Sequence, residues 1–102
     1  MAGQMLPDRS ETFVRQVVAI LAEERQKKGL SMNKLAWMAG VSPKAIAFIE
    51  QGKNSPTLRN ICRLADALEV SIPELFTQAE KLVETECRSN RKLEGSKRSK
   101  QI

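Results

Sequence analysis

Lys44, Ala47 and Gln51 recur within the short segment "SPKAIAFIEQ", and its two isoleucines, Ile46 and Ile49, take the other side. At about 100° per residue, this spacing places Lys44, Ala47 and Gln51 on one outward helical face, flanked by Pro43 and Phe48. The chemistry open to such a face is recognition. A lysine ammonium donates to guanine O6 and N7, or to a phosphate oxygen. Alanine and phenylalanine can touch thymine methyl groups. Gln51 stands at the helix exit.

Bond-making chemistry has no candidates. The chain contains no histidine and no tyrosine. It shows no glycine-rich phosphate loop and no cluster of acids at ligand spacing, so neither an enzyme nor a metal or other cofactor is expected. Cys62 and Cys87 form no metal or redox motif, and a reducing, cytoplasmic setting is the default expectation. No apolar run approaches the ~20 residues that span a bilayer. The opening segment "MAGQMLPDRS" lacks the basic start and apolar centre of a secretory signal.

The net charge of +5 is unevenly spread. Residues 87–102 hold six basic side chains against Glu94, so residues 1–86 are neutral as a whole. Within that neutral body, residues 27–63 carry Lys27, Lys28, Lys34, Lys44, Lys53, Arg59 and Arg63 against Glu50 alone. Such a local excess suits a surface that meets a polyanion.

The elements that must position these side chains are helices, because the apolar spacing is helical throughout. Asp8 and Glu11 form a capping-box pattern, followed by Val14, Val17, Val18 and Leu21 on one face up to Lys27, Lys28 and Gly29; this predicts a helix over 9–28. Ser31 caps a second helix that stops at Gly40. Ser42, with Pro43 at the first helical position, caps a third, which ends near Gln51 with Gly52 as its exit. Thr57 opens a fourth, with Leu58, Ile61, Cys62, Ala65 and Leu68 as its buried stripe and Cys62 as a small core residue. Ser71 and Glu74 open a fifth that runs to about residue 86. The division expected is a lead over 1–8, an all-α five-helix domain over 9–86, and a basic mobile tail over 87–102.

The second and third helices, joined by a glycine turn, form a helix-turn-helix pattern. The run "S-M-N-K-L-A-x-x-A-G-V-S-x-x-x-I-x-x-I-E-Q-G-K-x-S-P-T-L" resembles the Cro/cI-type, lambda-repressor-like family (the XRE-like regulators), and the resemblance extends over about residues 11–76. It implies an all-α five-helix domain that acts as a dimer on double-stranded operator DNA, with the third helix, about 42–51, as the recognition helix in the major groove. It also implies that Arg25 pairs with Glu50, which is the only acid in the basic stretch.

On that frame, Ser42, Pro43, Lys44, Ala47 and Phe48 are the candidates to face bases. Ser31, Met32 and Asn33 can offer backbone N–H groups to a phosphate from a helix N-terminus. Lys34, Gln51, Lys53, Asn54, Thr57 and Asn60 are further phosphate candidates. The base-facing side is less polar than the family leads one to expect, and Met32 stands where a glutamine is common; sparse direct readout leaves room for readout of DNA shape. Trp37 and Met38 replace polar family residues. Trp37 is expected to cover a core edge or the segment "MLP", or else to mark a protein partner's landing site. Ile72, Leu75, Phe76, Leu82 and Val83 are the candidate dimer surface. Two alternatives stay open: a helix-turn-helix protein-interaction module, and an antitoxin-like or controller-type regulator that binds both DNA and a protein.

Overall fold

Each helix begins where a short polar side chain can satisfy a free backbone N–H. In the computed structural model, which describes residues 8–95 and side chains as far as residue 86, five helices follow one another: α1 (Arg9–Lys27), α2 (Met32–Ala39), α3 (Pro43–Glu50), α4 (Leu58–Ala67) and α5 (Ile72–Gly95). Ser31 Oγ accepts from Lys34 N at 3.0 Å, Ser42 Oγ from Ala45 N at 3.0 Å, Thr57 Oγ1 from Asn60 N at 3.1 Å, and Ser71 Oγ from Glu74 N at 3.4 Å. Asp8 caps α1 one position earlier than a capping box requires, through Ser10 N at 3.0 Å. Among the described residues there is no strand.

The core is aliphatic. Val17, Ile20 and Leu21 of α1 meet Leu35, Ala36 and Ala39 of α2, Ile46 of α3, Ile61, Leu64, Ala65 and Leu68 of α4, and Leu75 and Ala79 of α5. Leu35, Ile46, Leu68 and Leu75 are almost wholly buried, and each such side chain contributes about 1.5–3 kcal/mol through burial. Neither α2 nor α3, eight residues each, would persist alone in water. Their shared apolar side, clamped by α1 and α4, keeps them helical. α5 closes the bundle against α1, where Phe13 and Phe76 meet edge to face at 5.5 Å and Gln16 Nε2 donates to Glu86 Oε1 at 3.1 Å.

Within α4 and α5 the structure departs from the sequence reading at four places. First, α5 does not end near residue 86 but continues to Gly95, so the domain boundary at 86 falls inside a helix. The part of the proposed tail over 87–95 is helical, while 96–102 lie outside the described residues, as do 1–7 of the expected lead. Second, Cys62 is exposed and not a core residue. The buried stripe of α4 is Ile61, Leu64, Ala65 and Leu68, and Cys62 lies about 110° round the helix from its centre. Third, Leu58 is 62% exposed. As the first residue of α4 it has no preceding turn to lie against. Fourth, Leu75 and Val83 are fully buried within this chain, so neither belongs to a dimer surface. Ile72 and Phe76 are half-buried and pack against the core. Of the five dimer candidates, only Leu82 is exposed.

Candidate nucleic-acid interface

The turn between α2 and α3 sets the angle at which α3 is presented. Gly40 takes φ 73°, and the N–H groups of Gly40 and Val41 both close onto the Ala36 carbonyl, at 2.9 and 3.1 Å. Ala36 is buried at this crossing, where a larger side chain would hold the two helices apart. Arg63, which the sequence marks only as one more positive charge, reaches from α4 to donate to the Gly40 carbonyl at 3.3 Å. With Ile46 and Ile49 buried below it, α3 turns Pro43 and Lys44 fully outward and leaves Ala47 and Phe48 half-exposed.

The far end of α3 is fixed from inside. Arg25 Nε donates to Glu50 Oε2 at 2.9 Å and Arg25 Nη2 to Glu50 Oε1 at 3.1 Å, in a two-pronged pair, while Arg25 Nη1 donates to the Leu30 carbonyl at 2.7 Å. The side chains are 11% and 16% exposed. The guanidinium thus ties α1, the α1–α2 loop and α3 into one unit. It also removes from the surface the only carboxylate in residues 27–63, so the basic stretch faces outward with no acid of its own to oppose it.

Beyond Glu50 the chain reverses through Gln51 and Gly52. The backbone N–H groups of Lys53 and Asn54 return to the Phe48 carbonyl at 2.8 and 3.3 Å. This brings Lys53 beside α3, where Lys44 Nζ and Lys53 Nζ both stand 5.6 Å from the centroid of the Phe48 ring. Lys44, Phe48 and Lys53 therefore form one cluster. The Lys44–Phe48 half of it is legible as a spacing of four on a helix. The Lys53 half depends on the turn and has no periodic signal.

The other candidates lie at the starts of neighbouring helices. Ser31, Asn33 and Lys34 are exposed at the N-terminus of α2, and Thr57 and half-buried Asn60 stand at that of α4. Ser31, Ser42 and Thr57 have their side-chain oxygens engaged as caps. The Met32 side chain is half-buried and packs against the core. Trp37 is 77% exposed and Met38 41%. The expectation that Trp37 covers a core edge is therefore overturned: its ring stands out from α2, with Lys34 Nζ 5.3 Å from its centroid. The segment "MLP" lies outside the described residues. Among the described residues there is no acid or cysteine cluster that could hold a metal, and no helix is long and apolar enough to cross a membrane.

Three helices around a central pair joined by a left-handed glycine, with the second of that pair turned outward, define a helix-turn-helix domain. A family model described as helix-turn-helix matches residues 21–75, and the chain belongs to that family, in its Cro/cI (XRE) type. It is 38% identical over 61 residues to PuuR, an HTH-type transcriptional regulator of Escherichia coli, a match covering 60% of this chain and 33% of PuuR. It is 36% identical over 55 residues to RstR, the cryptic phage CTXphi transcriptional repressor of Vibrio cholerae, covering 54% of this chain and 49% of RstR. The chain thus matches about a third of PuuR and half of RstR. The crystal structure of a point mutant of the restriction-modification controller protein C.Esp1396I superposes with a TM-score of 0.66 at 23% identity, covering 72% of this chain and 95% of that one. At that identity the likeness speaks for the fold.

Proposed function

We propose that this chain is a sequence-specific, DNA-binding transcriptional regulator that acts as a dimer on a pseudo-palindromic operator, with α3 in the major groove. The observation that carries the reading is the outward face of α3. Lys44 and Lys53 flank Phe48 there, while the one nearby acid in sequence, Glu50, is held inward by Arg25. A cationic face with an apolar centre suits phosphate and thymine-methyl contact together. The curated relatives named above are a transcriptional regulator and a transcriptional repressor, which agrees with a regulator acting where the chromosome lies, in the cytoplasm. Selection of bound duplexes from a random pool, followed by affinity measurements across salt concentrations, tests the reading. A recurrent motif bound with a steep salt dependence is expected. No enrichment, or binding indifferent to salt, would remove it.

Trp37 favours a second activity alongside the first. A tryptophan 77% exposed on a helix whose other side is core is a suitable anchor for a protein partner. Trp37→Ala should then leave folding unchanged and abolish any partner contact seen with the wild-type chain, with DNA affinity falling at most about two- to fivefold through the freed Lys34. A larger fall in DNA affinity would place the ring at the duplex instead.

A further inference from the structure

Two lysines on one aromatic ring is an arrangement with consequences for how both of them work. Lys44 precedes Phe48 by one helical turn, whereas Lys53 reaches it only because the chain reverses at Gly52, φ 78°. Two main-chain bonds onto the Phe48 carbonyl hold that reversal in place. Each ammonium lies 5.6 Å from the ring centroid, within the ~6 Å over which a cation is drawn to the face of an aromatic ring. The two charges can therefore be no more than about 11 Å apart, and they repel one another. Neither takes part in an ion pair among the described residues. The ring opposes both the repulsion and the rotamer freedom that a lysine on an open helix otherwise keeps.

We propose that Phe48 is a positioning residue, whose ring tethers Lys44 and Lys53 as one cationic unit for DNA. Lys44 is held toward the groove and Lys53 toward the adjoining backbone. The inference rests on the DNA-binding reading above and adds to it that the two lysines act through a shared ring. An untethered lysine must be immobilised on binding, and a tethered one is already largely ordered. Leucine at position 48 keeps an apolar side chain on the helix but has no π-face. Tryptophan keeps the π-face.

The test uses the full chain, with two readouts. In the free protein, the Cε protons of Lys44 and Lys53 should show upfield ring-current shifts by NMR. These shifts should vanish in Phe48→Leu and persist in Phe48→Trp. On a duplex selected by the wild-type chain, Phe48→Leu should weaken binding by roughly five- to thirtyfold, the scale of two exposed cation–π contacts, and Phe48→Trp should restore most of it. The fold-loss caused by Lys44→Ala, and that caused by Lys53→Ala, should each be smaller in the Phe48→Leu background. Unshifted lysine protons in the wild type would overturn the tether. Equal fold-losses in both backgrounds would overturn the coupling. Should Phe48→Leu fail to melt cooperatively, the wild-type shifts and the affinity of Phe48→Trp decide the matter. Should the wild-type chain select no duplex at all, the DNA-binding reading fails, while the shifts still judge the tether separately.

Discussion

Lys44 and Lys53 carry the same ammonium chemistry to two different places. Lys44 lies in the first turn of α3, where the helix would enter the groove on the proposed reading, and Lys53 lies past its exit, beside the expected path of the backbone. Lys44→Ala is therefore expected to relax preference at one position in each half-site, lowering discrimination there by about 1–3 kcal/mol if the contact is bidentate. Lys53→Ala should weaken all sequences alike and reduce the salt slope by about one unit. Affinities for a set of single-base operator variants at several salt concentrations separate the two; an unchanged ranking after Lys44→Ala would assign Lys44 to phosphate and leave specificity to DNA shape. Spacing in the sequence tells which side of α3 faces out, because a two-turn helix with Ile46 and Ile49 has only one way to lie on a core. It cannot tell that Lys53 joins Lys44 at one ring, since a left-handed turn carries no period. Nor does it tell that Cys62 and Leu58 are exposed, since both residue types are commonly buried and only the placement of α4 on its neighbours decides which flank of the stripe is covered.

At the level of helices, the starts were readable and one of the ends was not. Serine or threonine at 31, 42, 57 and 71 caps a helix in each case, because a cap is a local bond that needs no tertiary partner. The end of α5 gave no such signal. Beyond residue 86 the sequence turns polar, yet arginine, lysine, leucine and glutamate are all good helix formers, and the helix continues to Gly95. Three substitutions test how the helices are joined. Gly40 has φ 73°, and an added Cβ would meet nothing within 4 Å, so Gly40→Ala should cost only backbone strain, about 1–2 kcal/mol, with the fold retained. A larger loss in denaturant melts would mean that the turn is packed more tightly than its open surroundings indicate. Glu50→Ala leaves the Arg25 guanidinium, whose side chain is 11% exposed, without its charge partner. The cost should fall between the ~1 kcal/mol of an exposed pair and the ~3–5 kcal/mol of a buried one, at about 2–3 kcal/mol. Arg25→Ala should cost more, because it also leaves the Leu30 carbonyl without its 2.7 Å donor. Melts of both variants and of the double variant measure the coupling; a Glu50→Ala chain as stable as wild type would show that the pair holds nothing together.

On the proposed reading, one copy of this domain would present a single short helix to DNA, with few polar side chains on its outward face. A regulator needs more discrimination than one such helix can provide, and doubling the contact through a two-fold axis supplies it without any new residue. The described residues restrict where such an axis could lie. Leu75 and Val83 are consumed by the core, and Phe76 is packed edge to face on Phe13. On α5 this leaves the exposed side around Leu82, 43% accessible and followed by Thr85 on the open surface. A dimer through that side is expected to bind two half-sites whose centres lie about one helical turn, ~10 base pairs, apart. Leu82→Glu, which places like charges opposite one another across a two-fold axis, should shift the chain toward monomer in sedimentation at micromolar concentration, with cooperative melting retained and a midpoint no longer dependent on protein concentration. On DNA, the same variant should need both half-sites less: inserting five base pairs between them should weaken the wild-type chain strongly and Leu82→Glu hardly at all, because half a turn puts the second site on the opposite side of the duplex. If wild-type chain sediments as a monomer both free and on its selected duplex, recognition must rest on a single α3, and the two-fold operator is lost with the dimer.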